Sequence, residues 1–184
     1  MEDNGPGSIK KQIPNIFAKL LYGSKFHKLS ATRGQQGIGI SAAGLYAQLT
    51  TGKPSIIISK ISPKKRAHYY ELNIDTKKNE PHIITDKIVD WIKDHGTKVE
   101  IELEGKYQKG KQSVDEYVKQ TAIVNPQAQI VYINADKEKA KYDRVTEELP
   151  KETKEIKPHP YGIELGNLIS MLKDTKARTL QSFL

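Results

Sequence analysis

Gly34-Gln35-Gln36-Gly37-Ile38-Gly39 runs into the small-residue stretch Ile40-Ser41-Ala42-Ala43-Gly44, and this passage constrains the chain most. Three glycines ahead of a helix-compatible run leave backbone N–H groups that an anion can approach, because no Cβ stands in the way. A helix starting there adds unpaired donors and the positive end of its dipole, a combination suited to a polyphosphate. The order G-x-x-G-x-G is the reverse of the dinucleotide fingerprint G-x-G-x-x-G, and its lead-in Ser30-Ala31-Thr32-Arg33 is polar rather than a hydrophobic strand. A second stretch, Gly105 to Gln112, approaches the pattern G-x-x-x-x-G-K-[ST]. It fails at Gln112, where a hydroxyl should meet magnesium, and reads as a solvated basic loop before a helix.

Upstream, Asp3-Asn4-Gly5-Pro6-Gly7 is a D-x-G-x-G pattern that alone would mark a turn. Phe17-Ala18-Lys19 and Gly23-Ser24-Lys25 join it to the glycine loop, and Gly96-Thr97-Lys98-Val99 opens a strand with a small hydroxyl residue at its mouth. This ordered set resembles the GHKL ATPases, which include gyrase-type topoisomerases, heat-shock chaperone ATPases, mismatch-repair proteins and sensor histidine kinases. Phe17 to Lys25, Arg33 to Ala43, Thr121 to Pro126 and Lys157 to Gly162 narrow the resemblance to the B subunits of type IIB DNA topoisomerases. One departure is Ser8-Ile9, where that family usually has an apolar residue and then proline.

The resemblance implies an α/β fold: a GHKL (Bergerat) two-layer sandwich over residues 1–134 lacking its N-terminal part, a connector over 135–160 with short β pieces, and the start of a helix–two-turn–helix domain over 161–184. It implies ATP with Mg2+ as ligand. Asp3 would accept from the adenine amino group, with Gly5 and Gly7 passing close to the base and Thr97 seating it through water. Gly34, Gln35, Gln36, Gly37, Ile38, Gly39 and Ile40 would meet the phosphates, under a lid from Lys19 to Arg33 that carries Ser24 and Lys25. The implied partners are double-stranded DNA, a DNA-cleaving A subunit and, through ATP-dependent dimerisation, a second B subunit; no membrane is implied. The family's general base and magnesium-holding asparagine lie on a helix before D-x-G-x-G, where this chain has only Met1 and Glu2. The expectation is an internal fragment without hydrolytic activity of its own, since hydrolysis needs a positioned base and a metal against the phosphates. Rival readings are another GHKL ATPase, against which the connector Pro158-His159-Pro160 and the helix after it argue, or a basic nucleic-acid-binding module without nucleotide chemistry.

Composition sets looser bounds. The 184 residues suit one domain with a piece of a second. A mean hydropathy of -0.62 and the lack of a signal peptide's apolar core fit a soluble protein. Zero cysteines remove disulfides and thiolate metal sites and are compatible with a reducing cytoplasm. The net charge of +8 draws attention to Lys60–Arg66 and Lys106–Lys111 as phosphate contacts, although each loop alone reads as a solvated lysine-rich surface. His27, His68, His82, His95 and His159 show no zinc-binding spacing. Trp91 reads as a packing residue.

Periodicity predicts helices over Gln12–Leu21, Ile38–Thr50 and from Ser113, whose Ser-x-x-Glu is a capping box, to Asn125-Pro126. Leu165, Leu168, Ile169 and Leu172 predict another. Strands are predicted over Ser55–Ser59, Tyr70–Ile74, Val99–Glu104 and Ile130–Ile133, with Glu100, Glu102 and Glu104 on a solvated face.

Overall fold

The computed structural model describes residues 1–23, 34, 36–154 and 159–183. The chain is α/β: four antiparallel strands form one sheet in the order β3-β2-β1-β4, and helices pack on one of its faces. Contacts divide the chain into two units, the larger ending at Lys151.

In the larger unit, α1 (Ile13–Ala18) is shorter than its periodicity predicts. Pro14 sits at its start, where a missing N–H costs nothing, and the chain leaves the helix at Lys19 in an extended conformation. Helix α2 (Gly39–Thr51) ends at Gly52, whose left-handed φ of 71° lets its N–H reach the Gln48 carbonyl. Strands β1 (Ser55–Lys60) and β2 (Ala67–Asp75) follow from β-branched and alternating runs.

Strand β3 (Glu80–Val89) is absent from the sequence-based expectations. It is an edge strand with Pro81 near its start, and a register shift between Glu71 and Leu72 breaks its pairing with β2. Strand β4 is Gly96–Glu100: it opens at Gly96, as Gly96-Thr97-Lys98-Val99 indicates, and stops short of the alternation that runs on to Glu104. Past Glu100 the backbone turns to α2 instead of a neighbouring strand. Tyr46 Oη donates to the Glu104 carbonyl at 3.0 Å and Thr51 Oγ1 to that of Glu102 at 3.2 Å. Glu100, Glu102 and Glu104 are exposed, as their alternation indicates.

The core lies between this sheet and α1 and α2. Val99, Ile57 and Tyr70 stand abreast on β4, β1 and β2, and Ile13, Ala18, Leu72 and Ile74 pack with Ile57 and Tyr70 under Phe17 and Leu45. Full burial of a side chain such as Ile57 contributes about 1.5–3 kcal/mol. Gly44 brings α2 down on β1: a Cβ there would lie 2.8 Å from Ser55 Oγ. The small residues of α2 therefore serve a close helix–strand approach. The adjacent row on the same sheet face is Thr97, Ser59, His68 and Ile88, on β4, β1, β2 and β3.

Helix α3 (Val114–Val124) starts at Ser113, whose Oγ accepts the Glu116 N–H at 3.2 Å. Only half of the capping box forms: the Ser113 N–H donates to the Gly110 carbonyl, while Glu116 accepts from Gln120. No residue of α3 is buried. Strands β5 (Ile130–Ile133) and β6 (Lys139–Tyr142) make a separate antiparallel hairpin.

In the second unit the described residues are 152–154 and 159–183. They form a 3-10 turn (Pro160–Gly162), α4 (Leu165–Asp174) and the short α5 (Leu180–Phe183). His159 and Tyr161 stack with ring centroids 5.8 Å apart.

Candidate functional site

Residues 1–3 lie antiparallel along the edge of β4. Val99 N–H donates to the Met1 carbonyl at 2.8 Å, and Asp3 N–H to the Thr97 carbonyl at 2.9 Å. There the ladder stops, because the Thr97 N–H turns to the side chain: Asp3 Oδ1 accepts from it at 3.1 Å and from Gly5 N–H at 2.8 Å. Two main-chain donors thus fix one carboxylate oxygen in place. Oδ2 has no hydrogen-bond partner among the described residues, so it can accept from an external N–H.

The glycines of this corner make the fold possible. Gly7 has φ +68°, and a Cβ on it would sit 2.2 Å from the Lys60 carbonyl oxygen. Gly96 has φ +135°, with the Asp3 carbonyl oxygen 2.2 Å from any Cβ. The chain can cross over the paired ends of β1 and β4, where Lys60 faces Gly96, only without side chains at these two points.

Ser59 secures the crossing from below. Its fully buried Oγ accepts the Ser8 N–H at 2.8 Å and lies 3.2 Å from Thr97 Oγ1 and 3.3 Å from the Gly96 carbonyl. At Ser8, where the sequence departs from its family resemblance, the backbone is therefore tied directly to β1. His95 Nδ1 stands 2.8 Å from the Gly5 carbonyl and closes the outer side. The Glu2–Lys93 ion pair, at 2.7 Å, lies beside it.

A second group of predicted residues surrounds the start of α2. Gly37 has φ +65°, and a Cβ there would come within 2.6 Å of the Tyr22 carbonyl carbon and oxygen. The glycine loop thus rests on the backbone at Tyr22-Gly23. A Cβ on Gly39 or Gly34 would meet nothing within 4 Å. The α2 N-cap, Ile38, provides no side-chain cap, and the first turn carries no acidic residue. The open N–H groups and the dipole favour an anion there. Gln36, Ile38 and Gly39 are exposed and Ile40 half-buried.

The start of the proposed lid is clamped by Asn79 in the β2–β3 turn. Its Oδ1 accepts the Leu20 N–H at 2.9 Å and its Nδ2 donates to the Leu20 carbonyl at 3.1 Å, next to the half-buried Lys19. Ser24, Lys25, Arg33 and Gln35 lie outside the described residues.

The structure therefore brings Asp3, Gly5, Gly7 and Thr97 together at the β4 edge, and sets Gly37 against the Tyr22-Gly23 backbone after Lys19. Sequence reasoning missed Ser59, Asn79 and His95. Ser59 had only its strand pattern to offer, while the Asn79 turn and the His95-Gly96-Thr97 adjacency were visible but had no stated role. Among the described residues no cluster of three His, Cys, Asp or Glu side chains could hold a metal, and no helix is long and apolar enough to cross a membrane.

No protein-family model matches the chain. Among curated proteins it is 56% identical over 185 aligned residues to the B subunit of type 2 DNA topoisomerase 6 from Methanococcoides burtonii, and equally so to that of Methanosarcina barkeri. Identity to the protein of the same name from Archaeoglobus fulgidus is 54%. In each case all of this chain is covered, and 30–31% of the relative. From end to end, then, the chain is homologous to a stretch of the type 2 DNA topoisomerase 6 B subunit that makes up about 30% of those relatives' length.

Proposed function

We propose that this chain is the nucleotide-binding part of the B subunit of a type IIB DNA topoisomerase, a GHKL (Bergerat) sandwich leading into a helix–two-turn–helix domain. The observation that carries this reading is the Asp3 carboxylate. Its Oδ1 is occupied by the Gly5 and Thr97 N–H groups, and its Oδ2 is left to accept from an amino group such as that of adenine. Thr97 Oγ1, half-buried beside it, can hold a water to the base. Gly5 and Gly7 give the base access to the backbone.

Around the start of α2, uncapped amides and the Cβ-free space over Gly34 and Gly39 suit the phosphates of ATP. Lys19, Ser24, Lys25 and Arg33 belong to the lid in this reading, and Gln35, Gln36, Gly37, Ile38 and Ile40 to the phosphate loop. Mg2+ enters with the triphosphate, whose oxygens supply much of its coordination. Hydrolysis is assigned to no residue of this chain.

In the whole enzyme, ATP would draw two B subunits into a dimer that closes around one DNA duplex. The A subunit of topoisomerase VI would cleave the second duplex, through which the first passes.

Competition between ATP and GTP for a fluorescent ATP analogue tests the assignment. The chain should prefer ATP, and Asp3→Asn should weaken ATP binding roughly 10- to 100-fold, the loss of a hydrogen bond to a charged acceptor worth about 1.5–3 kcal/mol. Equal displacement by the two nucleotides, or unchanged ATP affinity in Asp3→Asn, would overturn it.

A further inference from the structure

Beyond Ser59 on the same sheet face, away from Thr97, the row of side chains continues into a cleft of about 500 Å³. Ser8 and Ser59 form the wall it shares with the Asp3 corner; His68 and Ile88 line it on β2 and β3. Its other walls carry Lys10, just before α1, and Lys64, Lys65 and Arg66 from the β1–β2 loop.

Two of these cations are already engaged. Lys10 pairs with Asp86 at 3.0 Å and Arg66 with Asp90 at 3.2 Å. Lys64 and Lys65 have no ion pair among the described residues, so the cleft keeps an excess of positive charge. His68 Nδ1, a buried ring nitrogen of this wall, has no hydrogen-bond partner among the described residues. An unpaired buried polar atom is unusual enough to need a reason, and a bound group or ordered water is a common one. A lysine-rich loop alone would be a solvated surface. Here the loop lies over a concave wall with serine hydroxyl groups and an unsatisfied imidazole.

We propose that this cleft binds a phosphate group, with Lys64 and Lys65 supplying the charge and His68 lining its floor. The chemistry fits both a phosphodiester of nucleic acid and free phosphate. The nucleic-acid source rests on the topoisomerase reading; the phosphate site itself stands apart from the nucleotide assignment, since neither lysine belongs to the Asp3 corner or to α2.

The test uses the whole chain, a short DNA duplex and inorganic phosphate. Duplex affinity is measured by fluorescence anisotropy across a salt series, and the His68 ring is followed by NMR, in the wild type and in the doubly substituted Lys64→Ala, Lys65→Ala protein. Both lysines are exposed, and the circular dichroism of the variant serves as a fold control. If nucleic acid is the source, the slope of log K against log salt flattens by about 1.8, that is about 0.9 for each phosphate no longer neutralised. The duplex also shifts the His68 resonances in the wild type. If free phosphate is the source, inorganic phosphate shifts His68 saturably in the wild type and not in the variant, while the duplex slope stays the same. Silence of His68 towards both probes overturns the proposal, even if the slope flattens, because surface charge outside the cleft would then account for the DNA effect.

Discussion

Ser59 Oγ and Thr97 Oγ1 lie 3.2 Å apart in adjacent strands, and the same Ser59 oxygen accepts the Ser8 N–H. Each of the two hydroxyls brings one proton to this cluster. If Ser59 donates to the Gly96 carbonyl, Thr97 must donate inward; if it donates to Thr97, the threonine proton is free to point outward. Ser59 thus decides what Thr97 presents beside Asp3.

Replacing Ser59 with alanine should cost about 1–3 kcal/mol of stability, because the Ser8 N–H loses its acceptor. Denaturant unfolding measures this. A double-mutant cycle with Thr97→Val should give a coupling of about 0.5–3 kcal/mol, whereas additive effects would mean that the two hydroxyls act independently.

The glycine loop offers a sharper contrast. Gly37→Ala places a Cβ against the Tyr22-Gly23 backbone at a positive φ, so it should lose about 1–3 kcal/mol of stability from conformation alone, whatever it does to a ligand. In Gly39→Ala the Cβ enters empty space at the first position of a helix. That variant should keep its unfolding midpoint and lose nucleotide affinity, since the added methyl group occupies the space assigned to phosphate. Parallel melting curves and calorimetric titrations with ATP separate the two outcomes; an unchanged ATP affinity in Gly39→Ala would remove the phosphates from this position.

Alkaline pH should expose the core through Tyr70. Burial first, and then its hydrogen bond to Asp86, raise its phenol to about 12. In the unfolded chain the phenol ionises near its ordinary 10, so the folded state holds the proton more tightly. Stability from this source is complete below pH 10 and is lost as the pH rises from 10 towards 12. Tyr70→Phe should be less stable at neutral pH, having lost the bond to Asp86, and should show a shallower decline over that interval. Urea midpoints taken along the pH series would reveal an equal decline if Tyr70 were not responsible.

At α3 the half-formed box predicts asymmetry. Ser113→Ala should destabilise the helix start by about 0.5–2 kcal/mol, seen as faster amide exchange in its first turn. Glu116→Gln should change global stability by less than about 0.5 kcal/mol, because its carboxylate does not reach back to residue 113.

Much of the fold was legible. Ser55–Lys60, and β2 from Tyr70 onward, alternate buried and half-buried residues because one sheet face meets the helices, and Gly52 followed by Pro54 stops α2. Strand β3 was not legible: an edge strand whose register shifts carries no clean alternation, and its partner supplies most of its definition. Nor was the early end of β4, where the competing partners are hydroxyls of Tyr46 and Thr51, some fifty residues away in sequence. Asp3, Gly5, Gly7 and Thr97 could be picked out by motif. Ser59 could not, since a serine at a buried strand position is chemically silent until the chain that crosses it is known.

The pairing of residues 1–3 with β4 makes the acceptor in the corner hostage to strand alignment. A slip of one residue would turn the Asp3 side chain to the opposite side of the sheet, and a slip of two would carry it past Thr97 altogether. If Asp3 reads the base as proposed, whatever tugs on the segment next to it would act on base selection without touching the base, and ligand grip would become a gauge of how faithfully that short edge is zipped.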